Sequence, residues 1–89
     1  MNRRLLDILV CPIDRHAPLE LVETESTGDV ISEGALHCSE CRRFYPILEG
    51  IPIMLPDDLR DKKLEIPFLK RNESRLPAKI TQDGLPWHL

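Results

Sequence analysis

The sequence has no long apolar run, few glycines and few aromatic residues. None of its hydrophobic stretches is long enough to cross a bilayer, and no secretory signal is recognisable, so a cytoplasmic protein without a membrane association is expected. Its 4 glycines form no phosphate-binding loop, and no Ser or Cys has a plausibly placed base. The sequence therefore predicts neither a membrane protein nor an enzyme.

The chain also has little excess charge and few cysteines. Lys and Arg number 12 against 15 Asp and Glu, a balance that argues against holding RNA or DNA by phosphate neutralisation alone. An odd number of cysteines, with two in a C-x-x-C, is typical of an intracellular metal-binding protein rather than of a disulfide-bonded secreted one. At 89 residues there is room for one small core, which a metal ion or a partner would help to stabilise.

Residues 1–56 are predicted to form a small α+β domain with one N-terminal helix and two antiparallel β-hairpins. Asn2 can cap the helix, and Pro12 disfavours its continuation. Gly50 supplies the positive φ that a tight turn in the second hairpin requires. Turn residues separate four β-prone runs, which give predicted strands at 18–24, 29–37, Phe44–Leu48 and Ile51–Leu55.

Pro52 places the last predicted strand at the edge of its sheet, because proline cannot donate a hydrogen bond to a neighbouring strand. Both faces of this strand are apolar, with Ile51, Ile53 and Leu55 on one and Pro52 and Met54 on the other. Solvated edge strands are normally protected by charge. We therefore expect another surface to cover this one.

Residues 57–89 are predicted to form a separate, irregular and partly ordered C-terminal extension to the domain at 1–56. Pro67, Pro77 and Pro86 are expected to prevent any long element. The apolar residues between them are spaced too irregularly for an amphipathic helix, yet they are too numerous for a purely solvated segment. The extension could dock on this domain or on another chain.

Two short segments have the spacing of metal-binding knuckles. Zinc takes four tetrahedral ligands, and a gap of two residues lets both side chains of a knuckle reach one ion. Asp14 stands where a fourth thiolate would be, and a carboxylate is an acceptable though harder ligand. The sequence thus predicts a structural zinc site formed by Cys11, Asp14, Cys38 and Cys41.

Other interpretations of these residues stay open. Asp14 could bond the amides of its own loop, as in an Asx-turn, and leave the cysteines as bare thiols. His16, His37 or water could supply the fourth ligand instead. Cys38 and Cys41 could also be a redox dithiol, although such pairs usually lie at a helix N-terminus, whereas here a strand follows.

The residues just after the second knuckle are also open to two interpretations. Arg42 and Arg43 could touch the phosphates of an RNA, but adjacent charges at such a place are most often a solvated edge. Phe44 and Tyr45 point to opposite faces of their strand, so one is expected in the core and the other is a candidate anchor for a partner. Phe44 is counted among the candidate partner-binding residues.

Taken together, these motifs resemble the small zinc-ribbon activator subunits of S-adenosylmethionine-dependent methyltransferases. This is the multifunctional methyltransferase subunit, or tRNA-methyltransferase activator, in its short prokaryotic form. The resemblance covers about residues 2–60 and rests on Leu5-Leu6-Asp7-Ile8-Leu9, Cys11-Pro12-Ile13, Leu19-Glu20-Leu21, Cys38-x-x-Cys41, Tyr45-Pro46-Ile47 and Gly50-Ile51-Pro52-Ile53-Met54-Leu55-Pro56.

The resemblance implies a zinc-ribbon-like fold and a non-catalytic heterodimer subunit. Its partners would be methyltransferases that act on tRNA, rRNA or a translation release factor, kept soluble and able to bind their methyl donor. The family pattern has four cysteines, and the replacement by Asp14 puts the zinc in doubt. In the family the last strand contacts the catalytic subunit, partly by main-chain pairing. This maps the partner-binding residues onto Gly50, Ile51, Pro52, Ile53, Met54 and Leu55, to which Phe44 is added as the candidate anchor.

A free-standing zinc ribbon that binds nucleic acid in translation or transcription is the alternative function. It would require steeply salt-dependent binding to RNA or DNA by the isolated chain. The acidic balance of the sequence disfavours it, so no direct nucleic acid binding is expected.

Overall fold

The structure, a computed structural model that describes residues 1–89, is built on one antiparallel sheet in the order β1-β2-β3-β4. The predicted α+β class and both hairpins are confirmed, and the hairpins join into a single sheet because β2 also pairs with β3. The strands are β1 Glu20–Thr27, β2 Val30–His37, β3 Phe44–Leu48 and β4 Ile51–Pro52. Two 3-10 helices, Arg3–Asp7 and Asp57–Leu59, and two α-helices, α1 Lys62–Arg71 and α2 Ala78–Thr81, complete the chain.

The predicted N-terminal helix is a short 3-10 helix. The side chain of Asn2 accepts a hydrogen bond from the Arg4 amide at 2.9 Å, which confirms the predicted cap. Leu6 and Leu9 pack against the core, whereas Leu5 is largely exposed. So short a helix is not stable alone, and its position is set by this packing.

The first hairpin is longer than predicted at its turn and contains two irregularities. Thr24 in β1 and Ser32 in β2 have no partner in the register, as in β-bulges. Each bulge reverses the alternation of side chains between the two faces. Ile31 and Leu36 are five residues apart, which in a regular strand would place their side chains on opposite faces. The bulge at Ser32 lies between these two residues, so both side chains reach the same core.

The second hairpin is shorter than predicted. Strand β4 ends at Pro52, and only one more ladder bond follows, from the Ile53 amide to the Pro46 carbonyl at 2.8 Å. Beyond Pro46 the edge of β3 is occupied by the tail, since the Phe44 amide donates to the Leu85 carbonyl at 3.0 Å. The predicted strand to Leu55 is therefore wrong in length, while its place at the sheet edge is confirmed.

Each face of the sheet carries its own apolar cluster. One cluster packs beside the two knuckles and comprises Met1, Cys11, Leu19, Ile31, Leu36, Cys38, Tyr45 and Ile47. The other lies under the α-helices and comprises Ala35, Phe44, Phe68, Leu69, Leu76 and Ile80. We call these the knuckle-side and helix-side clusters. The central strands β2 and β3 are consequently buried on both faces.

The prediction that prolines prevent any long element after residue 56 is wrong, because α1 continues through Pro67. An interior proline costs a helix about 3 kcal/mol. Burial of Phe68 and Leu69 against the sheet offsets this cost, since burying one such side chain stabilises by about 1.5–3 kcal/mol. The division of the chain into units at 1–56 and 57–89 stays a prediction.

A buried ion pair fixes the tail to the sheet. Arg60 donates from Nε to Glu65 at 2.7 Å and from Nη2 to the Phe44 carbonyl at 2.7 Å. Its guanidinium also lies 5.1 Å from the ring centroids of both Phe44 and Tyr45. Both charges are fully enclosed, and the bond from Arg60 to the Phe44 carbonyl joins this pair of tail residues to β3. None of the helices has the length and apolar character needed to cross a bilayer.

Candidate metal centre and partner-binding edge

The loop that carries Cys11 and Asp14 is a closed turn. The Cys11 amide donates to the His16 carbonyl at 3.0 Å, and the Arg15 amide donates to the Cys11 carbonyl at 2.8 Å. Arg15 adopts a left-handed conformation with φ 62, which turns the chain back on itself. Both side chains of the knuckle are thereby held at one end of the sheet.

The loop that carries Cys38 and Cys41 repeats this backbone. The Cys38 amide donates to the Arg43 carbonyl at 2.9 Å, and the Arg42 amide donates to the Cys38 carbonyl at 2.9 Å. Arg42 has φ 67, matching the left-handed residue of the first loop. In this repeated motif Asp14 occupies the position of Cys41, as the sequence predicts.

The two knuckles bring their four predicted ligands together. The ligand atoms of Cys11, Asp14, Cys38 and Cys41 all lie within 4.8 Å of one another. The sulfurs of Cys11 and Cys41 are 3.6 Å apart, and the Cys38 sulfur lies 3.6 Å from each Asp14 oxygen. Tetrahedral zinc with Zn–S bonds of about 2.3 Å places its sulfur ligands roughly 3.7 Å apart. The donor set and its spacing thus fit one zinc ion.

The thiols differ in how readily they ionise. Burial raises the pKa of Cys38 to about 12. Burial also acts to raise the pKa of Cys41, but hydrogen bonds from the Arg43 backbone and side chain and from neighbouring thiols outweigh it and lower this pKa. A metal ion binds thiolates, so loading this site would displace a proton from Cys38. Within the C-x-x-C pair, Cys41 is therefore the thiol that ionises more readily.

The carboxylate of Asp14 has two roles. One oxygen accepts a hydrogen bond from the His16 amide at 2.9 Å, which lowers the pKa of Asp14 and completes an Asx-turn. This bond leaves the second oxygen available to a metal ion. His16 and His37 both lie outside the ligand cluster, which favours Asp14 as the fourth candidate ligand.

Tyr45 contacts the first knuckle, and Arg43 links the second knuckle to the tail. The Tyr45 hydroxyl lies 3.0 Å from the Cys11 sulfur, within hydrogen-bonding distance, and its ring is fully buried. Arg43 forms a two-pronged ion pair with Asp57, at 2.8 and 2.7 Å. Since Arg43 is already neutralised, only Arg42 of the basic pair remains free for a phosphate. Asp57 was not predicted, because the contact depends on where the tail docks.

The outer edge of β4 has unpaired backbone groups. Because the Ile53 amide faces inward to Pro46, the backbone groups of Pro52 and Met54 face outward. Proline has no N–H, so this edge offers one amide donor, that of Met54, together with two carbonyls. Ile51 beside it is 61% exposed and Leu55 is 38% exposed. The edge can therefore accept a strand from another chain.

The predicted anchor role of Phe44 is corrected by its burial. Phe44 and Tyr45 are both fully buried, one in each apolar cluster, so neither side chain is accessible to a partner. Sequence alternation placed them on opposite faces correctly. It could not show that the tail would cover the second face.

Comparison with known proteins adds a family assignment. Residues 2–50 match the profile of the Trm112p-like protein family. The chain belongs to the Trm112p-like family. It is 47% identical over 60 residues to a UPF0434 protein of Rhodopseudomonas palustris, covering 67% of this chain and 77% of that one. A UPF0434 protein of Coxiella burnetii is 42% identical over 60 residues, and this match covers 67% of this chain and 91% of that protein.

A solved structure is similar in both fold and sequence to this Trm112p-like chain. The complex between the Haloferax volcanii Trm112 methyltransferase activator and a candidate methyltransferase contains a chain with a TM-score of 0.64 and 45% identity. The match covers 67% of this chain and all of that one. The family is one of activators, so the prediction that this chain is not itself the catalyst is confirmed. About a third of the chain lies outside each match.

Proposed function

We propose that this chain is a non-catalytic subunit that binds, stabilises and activates the catalytic subunit of S-adenosylmethionine-dependent methyltransferases in the cytoplasm. The substrates of those enzymes would be tRNA, rRNA or a translation release factor. The observation that carries the proposal is the free backbone edge of β4 beside exposed Ile51. The complex formed by the Haloferax volcanii relative supports it.

Pairing of strands explains how one small chain could serve several catalytic subunits. Main-chain hydrogen bonds make no demand on the partner's side chains, while apolar contacts at Ile51, Met54 and Leu55 would supply affinity. An apolar segment on the catalytic subunit would be covered in the same step, which keeps it soluble. The methyl donor and the catalytic residues would belong to the partner.

A structural zinc would serve this role indirectly. When bound to Cys11, Asp14, Cys38 and Cys41, it would cross-link the two knuckles and so rigidify the end of the sheet. The fold also has an apolar cluster on each face, so the metal is not its only source of stability. Partner binding at β4 would then depend on zinc only through the stability of the chain.

Co-expression tests this proposal. Each S-adenosylmethionine-dependent methyltransferase of the source genome is expressed with and without the chain, and soluble yield, complex formation by size-exclusion chromatography and methyl-donor binding by calorimetry are measured. We expect at least one catalytic subunit to gain solubility and donor binding. Its unfolding temperature should rise with the concentration of the chain, because the chain binds only the folded partner. If no subunit forms a complex, the proposal fails.

A further inference from the structure

Beside the edge strand lies an apolar groove whose second wall is provided by the tail. It has a volume of about 530 Å³. Its apolar lining is formed by Leu48, Ile51 and Ile53 from the second hairpin and by Leu64 from α1. The family profile ends at residue 50, so the Leu64 wall lies beyond it. The groove is therefore a feature that the matched family region does not build by itself.

The α1 wall is held in place at both ends. Near its start, Glu65 forms the buried ion pair with Arg60. At its end, Asn72 and Arg71 each donate to Glu33 at 2.8 Å. A wall fixed in this way loses little conformational freedom when the groove is filled, which favours binding. Leu64 is 49% exposed although it lies on a well-anchored helix.

The rim of the groove has one carboxylate without a partner. Of the charged residues around it, Glu33 and Arg71 are paired with each other. Glu49, in the turn between β3 and β4, is exposed and forms no ion pair or side-chain hydrogen bond. The groove thus combines an apolar floor with a single unpaired negative charge. Such a site fits a bulky apolar side chain that is followed or preceded by a basic one.

We propose that this groove receives a bulky apolar side chain of the catalytic subunit, next to a basic residue that pairs with Glu49. A strand added to the β4 edge at Met54 would run directly past Ile53 and Ile51, so its flanking residues would reach the groove. Helix α1 then helps to determine which catalytic subunits bind, because its Leu64 contacts the inserted side chain. This inference rests on the proposed function, since the occupant is a segment of that partner.

Calorimetry with a catalytic subunit that the wild-type chain binds tests the inference. Leu64→Asp should weaken the affinity by about 10- to 100-fold, the range for loss of a buried apolar anchor. Leu85→Asp is the matched control, since Leu85 is also an exposed tail leucine but lies at the opposite end of β3. It should bind as the wild type does. Glu49→Gln should make the affinity less dependent on salt concentration.

Each outcome bears on a different conclusion. If the wild-type chain binds and Leu64→Asp binds equally well, the groove inference is wrong while the proposed function stands. If no catalytic subunit binds the wild-type chain at all, both fail together. If the wild-type chain instead dimerises and Leu64→Asp is monomeric, the occupant is a second copy and the inference is overturned. Circular dichroism of each variant confirms that a loss of binding is not a loss of folding.

Discussion

At the residue scale, Asp14 distinguishes the candidate metal site from one made of four cysteines. The two knuckles have the same backbone hydrogen bonds, yet one presents two thiols and the other a thiol and a carboxylate. A carboxylate is a harder ligand than a thiolate, and zinc is borderline-soft. The Asp14 carboxylate is also shared with the His16 amide. The site should therefore bind zinc more weakly than a four-cysteine site on the same backbone.

Restoring the fourth thiolate tests this expectation. Asp14→Cys should tighten zinc binding by about 10-fold or more, equivalent to about 1.4 kcal/mol. The affinity is measured by competition with a chromophoric chelator. Cys41→Ala serves as the opposite control and should lower both zinc affinity and the unfolding temperature of the zinc-loaded chain. An Asp14→Cys affinity equal to or below that of the wild type would show that Asp14 is not a zinc ligand.

The ion pair between β2 and α1 should make stability depend on pH. Burial alone would raise the pKa of Glu33, but hydrogen bonds from Asn72 and Arg71 outweigh it and lower this pKa below 4.5. The native state therefore binds fewer protons than the unfolded state, and the stabilisation is present above pH 4.5 and lost as the pH falls through the native pKa. Urea unfolding should show a smaller loss of stability in acid for Glu33→Gln than for the wild type. Identical acid profiles would contradict this role of Glu33.

At the scale of elements, β4 is short because its neighbours limit it. The tail already occupies the edge of β3 at Phe44, so no ladder bond between β3 and β4 follows the one from Ile53 to Pro46. Strand β4 is therefore short, and it pairs with β3 on its inner side while its outer side stays free. Met54 packs against the knuckle-side cluster, so Met54→Lys would also affect folding and is a poor probe of partner binding. Ile51 is the better probe because its side chain is mostly exposed.

A pair of aspartate substitutions separates partner binding from folding. Ile51→Asp should weaken binding to the catalytic subunit by about 1–3 kcal/mol, because the Ile51 side chain would be buried in the complex. The isolated chain should stay folded, because this side chain is exposed there. Val30→Asp is the matched control, since Val30 is a 52% exposed residue of β2, a central strand that does not form the free edge. Affinity by calorimetry and folding by thermal melting are compared for both. Equal losses of affinity in the two variants would show that β4 is not the binding edge.

At the scale of the whole molecule, the tail provides most of one of the two apolar clusters. It supplies four of the six residues of the helix-side cluster: Phe68, Leu69, Leu76 and Ile80. Sequence periodicity missed this because the apolar residues are divided between two short helices and the turn that joins them. The sheet accepts them because β2 and β3 already present buried apolar residues on that face. The tail is therefore expected to contribute to the stability of the whole chain.

Truncation of one tail side chain tests this contribution. Phe68→Ala should lower the free energy of unfolding by about 3–5 kcal/mol, as for other fully buried phenylalanines. Leu59→Ala, in the same tail but 62% exposed, should change it by only about 0.5 kcal/mol or less. The measurement is urea denaturation of the isolated chain. A small effect of Phe68→Ala would mean that residues 57–89 dock weakly and that residues 1–56 fold as an independent unit.

Local patterns in the sequence predicted much of the molecule. Knuckle spacing predicted which residues approach one another, since a C-x-x-C turn is closed by hydrogen bonds within a few residues. The proline at position 52 predicted an edge strand, because proline has no N–H to donate to a neighbouring strand wherever it stands in a sequence. Alternation predicted that Phe44 and Tyr45 lie on opposite faces. These features depend on neighbours in the chain and so can be read from it.

The tertiary structure alone decided which of these surfaces stay open. Burial of Phe44, the helix through Pro67 and the groove at Leu64 all follow from contacts between residues far apart in sequence. Hydrophobic burial is non-directional, so an apolar pattern specifies that a residue will be covered but not by what. By itself the sequence determined the candidate ligands, the hairpins and the edge strand. Only the docked tail decided that the helix-side face of the sheet is closed while the outer edge of β4 stays open.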